Sequence, residues 1–106
     1  MIIVSTEYIP GVKIVKVCGL VQGSTVRAKH IGRDIAAGLK NLVGGELKGY
    51  TELLNESRNE STKRMVEQAQ KAGANAVVCV RYATSSIAAG AAELFCYGTA
   101  VIVEKE

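Results

Sequence analysis

The sequence predicts an α+β protein, a two-layer sandwich in which a long helix packs on one face of an antiparallel sheet. Three observations predict this class. A stretch without proline runs from Glu46 to Ala72 through the middle of the chain, Gly44-Gly45 and Gly73 bound it, and segments rich in Val and Ile lie on both sides. Because an apolar face must be buried against another layer, the helix and the strands are expected to pack together.

The N-terminal part of the chain predicts two strands followed by a short helix. Residues 2–6 form a short strand or arm, and residues 12–22 alternate imperfectly, as in a strand. This alternation predicts that Val15, Val17, Gly19 and Val21 share one face. Within the second strand, Gly19 indicates a bulge or a close approach of another backbone. Residues 23–25 offer Ser and Thr as helix caps. Residues 26–42 then carry apolar side chains at helical spacing, which predicts a second, shorter amphipathic helix.

The long helix has one face of small and apolar residues. Its members recur at steps of three or four and therefore share a face: Leu47, Tyr50, Leu54, Ser57, Ser61, Met65 and Ala69. The two serines in the middle of this face allow a close approach to a sheet or to a neighbouring subunit. Acidic residues crowd the first half and basic residues the second, which complements the helix dipole. Gly73 suits the left-handed position after the last turn.

The C-terminal part predicts a hairpin. Residues 76–82 form a mostly buried strand, residues 84–92 form a loop of small residues, and residues 93–103 form the last strand. One face of the last strand, where a helix is expected to lie close, carries Leu94, Cys96, Gly98, Ala100 and Ile102. The order is strand, helix, long helix, strand and strand, in a single domain of residues 1–106.

The composition predicts self-association. Apolar residues make up 48% of the 106 residues, but aromatic residues only 5%, and there is no Trp. A small aliphatic core and a sheet with helices on only one face leave apolar surface that a second subunit would bury. The sequence shows no run long enough for a membrane span and no secretory signal. Three cysteines in such a chain favour reduced thiols and a cytoplasmic location.

The net charge of +3 falls within residues 27–40, which hold four basic residues and one acidic residue. This segment is interpreted first as a solvated helix face or an ion-paired interface, and alternatively as an anion site. Nucleic-acid binding is not expected, because it usually adds exposed aromatic side chains or a much larger basic excess.

The three cysteines show no metal-ligand spacing. Cys18, Cys79 and Cys96 lie far apart in sequence, with no CxxC or CxH pattern. Their first interpretation is as small buried apolar residues. The alternative is a soft-metal site built between subunits, with Cys18 as the best thiolate and Cys79 as a weaker one. No base–nucleophile pair or paired carboxylates can be identified, so an enzyme is not predicted.

Four polar residues form a second candidate site. Arg33, Asp34, Tyr50 and Arg58 come together if the two helices meet. They form either a structural salt bridge covered by a tyrosine or a pocket for a small molecule or an anion.

The chain as a whole resembles the YbjQ-like family, often labelled heavy-metal-binding. The resemblance is carried, in order along nearly the whole chain, by Val17–Gly23, Gly32–Ile35, Val43–Gly45, Tyr50 with Ser57-Arg58, Gly73–Val78 and Tyr97–Val101. It implies a β-α-β-β fold similar to the dodecin subunit and assembly into homopentamers. Cys18 matches a position at which many relatives carry Cys, whereas Cys79 and Cys96 fall where relatives often carry other residues. The function of the family is essentially unassigned.

These observations lead to a functional expectation with three alternatives. The chain is expected to be a cytoplasmic, non-enzymatic homo-oligomer, a pentamer by resemblance. The first alternative is binding of a soft divalent or monovalent metal ion through Cys18. The second is binding of a small molecule or an anion in pockets between subunits, and the third is a purely structural assembly.

Overall fold

A computed structural model of the chain describes residues 1–27, 48–88 and 91–106. The short helix predicted for residues 26–42 is wrong for residues 26–27, which belong to a strand, and its remainder lies outside the described residues together with the turn at residues 43–45. The elements are β1 (Ile2–Ile3), β2 (Val12–Arg27), α1 (Lys48–Lys71), β3 (Ala76–Ala88) and β4 (Ala91–Lys105). Among these residues, the structure contains no helix that combines the length and the apolar character of a membrane span.

The strands form one mixed sheet in the order β1-β3-β4-β2. β4 is central and runs antiparallel to both β2 and β3, whereas the short β1 pairs in parallel with β3. α1 lies on one face of this sheet and packs mainly on β2 and β4. The predicted α+β class is therefore confirmed, with the parallel β1 as the one addition to the antiparallel arrangement.

The predicted face of the long helix is the one that packs on the sheet. Ser57, Ser61, Met65 and Ala69 are all buried. At the exposed side of α1, Arg64 Nε lies 3.3 Å from Glu60 Oε1, so these side chains pair one turn apart as their spacing predicts. Gly73 adopts φ +82°, the left-handed conformation predicted for the residue that ends the helix.

The helix approaches β2 so closely that only glycine fits beneath it. A Cβ atom on Gly23 would meet the carbonyl oxygen of Ser61 and the backbone nitrogen of Met65. Two residues further along β2, Thr25 Oγ1 donates a hydrogen bond to the Ser57 carbonyl oxygen. The prediction that residues 23–25 cap a helix is therefore wrong: they lie within β2 and form the floor on which α1 rests.

Bulges set the two faces of the sheet. The pairing of β2 with β4 shifts register between Val17 and Gly19, and Gly19 adopts φ +115°, so the predicted bulge is confirmed. The extra residue, Cys18, reverses the alternation. Val17 is 64% exposed, whereas Val21 is buried beneath the helix. The prediction that Val17 and Val21 share a face is therefore wrong, because simple period-two counting does not survive an inserted residue.

The hairpin of β3 and β4 is longer than predicted. The segment interpreted as a loop of small residues pairs as sheet, with Thr84 opposite Leu94 and Ser86 opposite Ala92. The strands reach Ala88 and Ala91 because no proline interrupts them and the pairing across the hairpin continues to Ala88 opposite Ala91, with one register shift between Ser86 and Ala88. The loop prediction for residues 84–92 is therefore wrong for residues 84–88 and 91–92, and residues 89–90 lie outside the described residues.

The core is divided into two clusters by the sheet. Between the sheet and α1 lie Met65, Ala69, Val77, Cys96 and Ala100 with their neighbours. On the opposite side a smaller cluster consists of Ala76, Val78, Val101 and Val103. The predicted helix-side placement of Cys96 and Ala100 on β4 is confirmed. Gly98 on β4 has no room for a side chain, because a Cβ atom there would lie 2.7 Å from the Val77 side chain of β3.

We expect Gly23→Ala to lower the free energy of unfolding by about 1–3 kcal/mol, because the added methyl group must push the helix backbone away from β2. The measurement is equilibrium unfolding in urea. Ser24→Ala, which changes an exposed side chain on the same strand, is the matched control and should change stability by less than about 0.5 kcal/mol. Equal stability of Gly23→Ala and wild type would contradict the close contact.

Candidate functional site

The most prominent surface feature is a strip of apolar side chains on the face of the sheet turned away from α1. We call this the outer strip, and it consists of Ile14, Val17, Leu20, Val26 and Tyr97. Leu20 is 72% exposed and Val17 is 64% exposed. These are large values for aliphatic residues in a regular strand. Adjacent exposed apolar side chains of this kind mark interaction surfaces.

Strand register explains why the outer strip lies on one face. Val17 pairs with Val101, and Leu20 pairs with Thr99, so both side chains lie on the face of the sheet that α1 does not cover. On β4, the rings of Phe95 and Tyr97 stack with their centroids 6.1 Å apart. The outer strip is therefore continuous with the outer cluster of the core. The sequence predicted an uncovered apolar face of the sheet but not which side chains form it, because the extra residue at Cys18 was not included when the faces of β2 were assigned.

The structure places the three free cysteines in different environments. Cys18 is half-buried and packs against the cluster between the sheet and α1. Cys79 is also half-buried but packs against the cluster on the opposite face. It adopts φ +57° at the bulge that shifts the register between Val78 and Arg81. Cys96 is fully buried beneath the helix.

Cys96 behaves as a protonated packing group. Burial raises the pKa of its thiol, and hydrogen bonds with the Ser61 side chain and the Gly23 backbone only partly oppose this effect. A thiol held neutral is a poor nucleophile and a poor metal ligand, since the thiolate is the form that reacts and binds. The structure thus supports the interpretation of Cys96 as a small buried residue that joins the helix to the sheet.

The described residues of one protomer do not fit a soft-metal centre. A stable site for such an ion needs several thiolate or imidazole ligands converging on one point. Among residues 1–27, 48–88 and 91–106, no group of three Cys, His, Asp or Glu side chains is close enough to hold an ion. Cys18 and Cys79, the two predicted ligands, pack on opposite sides of the sheet. A site that uses both would have to draw on more than one copy of the chain.

The predicted polar cluster falls largely outside the part of the chain that the structure describes. Arg33 and Asp34 lie in the segment that is not described, and of Tyr50 only the backbone, in the first turn of α1, is described. Arg58 is exposed on α1, where its Nη1 donates a hydrogen bond to Asn55 Oδ1 at 3.1 Å. The meeting of these four residues stays a prediction.

A surface cavity of about 510 Å³ lies where β1 meets β3, and sequence reasoning missed it. Arg81 reaches across it, and its Nη1 donates to the Ser5 carbonyl oxygen at 2.8 Å. Tyr82 at its rim hydrogen-bonds through its hydroxyl to Thr62 Oγ1 at 2.8 Å. These polar groups tie the N-terminal segment and α1 to β3, so their evident role is structural.

The chain resembles known proteins over its whole length. Residues 1–104 match the model of a family described as "Putative heavy-metal-binding". A UPF0145 protein from Hahella chejuensis is 66% identical over 104 residues, which cover 98% of this chain and 100% of the relative. A UPF0145 protein from Thermotoga maritima is 53% identical over 105 residues, 99% of each chain. Both names describe an uncharacterised family.

The fold also has a counterpart among solved structures. A protein of unknown function of the DUF74 family from Pediococcus pentosaceus superposes with a TM-score of 0.66 over 98% of both chains. Its sequence is only 13% identical, so the similarity shows the fold alone.

We expect the buried Cys96 thiol to make stability depend on pH in the alkaline range. Its pKa is raised in the folded state, so the contribution of the neutral thiol is complete below the ordinary thiol pKa of about 9 and is lost as pH rises above it. The unfolding free energy of wild type should therefore fall more steeply above pH 9 than that of Cys96→Ala. Urea unfolding at a series of pH values measures both slopes. Parallel curves would contradict the raised pKa.

Proposed function

We propose that this chain, which belongs to the YbjQ family of UPF0145 proteins, works as a non-enzymatic, homo-oligomeric binding module. The observation that carries the proposal is the outer strip. Its exposed aliphatic side chains lie on one face of the sheet, and burying them against another copy would stabilise an assembly by about 25 cal/mol for each Å² removed from water.

Several features support a copy of the same chain as the covering partner. Between Leu20 and Val26 the same face of β2 carries Gln22 and Ser24, which are uncharged, so two strips can meet there without like-charge repulsion. The interior core of one protomer is small, and its largest fully buried side chains are Met65 and Val77. A domain of this size gains stability when more apolar surface is buried by association. The resemblance noted in the sequence favours a homopentamer, and we adopt that number for the proposal.

The binding role is assigned to sites between copies. The described residues of one protomer bring no ligand set together, whereas an assembly repeats each side chain around an axis of symmetry. The first ligand class is a soft metal ion, as the family description suggests, and Cys18 is its proposed thiolate. This residue is only half-buried and lies at a bulge in β2, which is the outermost strand on its side of the sheet. The three free thiols of the chain support a reducing compartment such as the cytoplasm.

Native mass spectrometry of wild type is expected to show a homopentamer, and Leu20→Lys is expected to shift the population toward monomer. A lysine in the centre of the outer strip places a charge where apolar surface must be buried. Gln70→Lys adds the same charge at an exposed position of α1 and is the matched control, which should leave the assembly unchanged. A wild type that is monomeric at all concentrations tested would overturn the proposal.

Metal binding is tested on the same protein, purified without chelator and titrated with Cd²⁺ under reducing conditions. If Cys18 is a ligand, a Cd²⁺ adduct appears on the oligomer together with sulfur-to-metal charge-transfer absorption. Both are lost in Cys18→Ser and kept in Cys79→Ser. An oligomer without an adduct, or one whose adduct survives Cys18→Ser, would contradict the thiolate assignment but not the assembly.

A further inference from the structure

The surface cavity where β1 meets β3 combines an apolar wall with a single positive charge. Its volume of about 510 Å³ falls within the range of roughly 300–1,000 Å³ that is typical of small-molecule sites. Three of the residues that line it are aliphatic, one is cationic and none is acidic. The lining consists of Ile3, Val4, Ser5, Val80, Arg81 and Tyr82.

Arg81 is held by backbone carbonyl oxygens at one of its three nitrogen atoms. Its Nη1 donates to the Ser5 carbonyl oxygen at 2.8 Å and to the Val80 carbonyl oxygen at 3.0 Å. Nε and Nη2 carry the remaining N–H donors of the guanidinium group, and they have no partner among the residues that the structure describes. Together Nε and Nη2 form a fork of parallel donors, which matches the two oxygens of a carboxylate.

The charge of Arg81 is not balanced within the described part of the chain. The ion pair found there joins Glu60 to Arg64 on α1, and none there includes Arg81. Because backbone oxygens already fix one end of the guanidinium group, a ligand would have to immobilise less of this side chain on binding. A preorganised cation beside an apolar wall suits an anion that carries a hydrocarbon group.

Tyr82 lines the same cavity and is tied to α1 through its hydroxyl group. Its hydroxyl oxygen lies 2.8 Å from Thr62 Oγ1, which itself donates to the Arg58 carbonyl oxygen at 2.7 Å. Since Thr62 has a single hydroxyl hydrogen, Tyr82 is the donor in the bond between the two hydroxyl groups. Tyr82 therefore has no hydroxyl hydrogen left for a bound anion, and Arg81 is the cation that such a ligand would meet.

We propose that this cavity binds a small organic carboxylate, with the carboxylate on Nε and Nη2 of Arg81 and the hydrocarbon part against Ile3, Val4 and Val80. One negative charge on the ligand balances the one positive charge of the lining. A phosphate dianion would bring a second charge that no lining residue offsets. The site lies within one protomer and adds to the proposed binding module, so it depends neither on Cys18 nor on the number of subunits.

Titration with benzoate and with its neutral counterpart benzamide tests the proposal. Both molecules carry the same ring, but only benzoate has two oxygens that share a negative charge. Amide NMR signals are followed in isotope-labelled, deuterated wild-type protein. Benzoate should shift the signals of residues 3–5 and 80–82 saturably, with at least about tenfold higher affinity than benzamide, because hydrogen bonds to charged groups are the stronger ones. Equal affinities, or saturable shifts confined to other residues, would overturn the proposal.

Arg81→Gln removes the fork together with its charge. It should lower the affinity for benzoate at least about tenfold and leave the affinity for benzamide unchanged. Lys105→Gln removes one positive charge from an exposed position at the end of β4 and is the matched control, which should bind benzoate as wild type does. An equal loss of benzoate affinity in both variants would show a general effect of net charge and would overturn the proposed contact.

A second variant separates the fork from the structural contact of Arg81 with Ser5. Arg81→Lys keeps the positive charge and a donor for the Ser5 carbonyl oxygen, but an ammonium group has no planar fork. It should lose most of the preference for benzoate over benzamide. Full benzoate affinity in this variant would contradict the assignment of the carboxylate to Nε and Nη2.

Inorganic phosphate distinguishes a carboxylate site from a general anion site. At constant ionic strength, an equal concentration of phosphate should leave the benzoate shifts in place. Displacement of benzoate under these conditions would overturn the proposed ligand class. The proposed homo-oligomer is tested separately by its mass and by Leu20→Lys, so a failure of the carboxylate site leaves it standing.

Discussion

The structure depends on the contact between the backbone of α1 and the backbone of β2 at Gly23. No side chain fits between them, because a Cβ atom at this position would meet the Ser61 carbonyl oxygen. The small residues of the helix serve this contact: Ser57 and Ser61 are buried without enlarging the distance between the layers. The same approach buries Cys96 and holds its thiol neutral. Close packing of small residues between α1 and β2 therefore takes the place of a large aromatic core, since only 5% of the residues are aromatic.

With one face of the sheet taken by α1, the other face determines how the protein meets its surroundings. The bulges at Cys18 and Cys79 decide which side chains reach it. The bulge in β2 turns Val17 and Leu20 outward. Beyond the bulge, α1 engages the edge of β2, because Gln22 N donates to Gln68 Oε1 and Arg64 Nη1 donates to the Ser24 carbonyl oxygen. An exposed apolar face marks an interaction surface, and this is the face that the proposed homo-oligomer buries.

The family description as heavy-metal-binding is consistent with the presence of free thiols but not with their placement in one protomer. Cys96 is buried and neutral, and Cys18 and Cys79 pack on opposite sides of the sheet. Coordination by this chain's thiols is therefore a property to be sought in the proposed assembly, where symmetry would bring equivalent residues near one another. The described segments offer no group of three ligands within a single copy.

The sequence by itself determined the class of fold, the buried face of the long helix, the helix end at Gly73 and the bulge at Gly19. These follow from local periodicity and from the backbone freedom of glycine, which need no knowledge of distant partners. Only the tertiary structure decided that residues 23–25 form a strand beneath the helix, that residues 84–88 pair instead of forming a loop, and that Val17 faces away from α1. Each of these depends on a long-range pairing with β4 or α1, and an inserted residue such as Cys18 changes the face of every residue that follows it. The proposed functional surface lies in that second group, because it is defined by which face of the sheet the packing of α1 leaves uncovered.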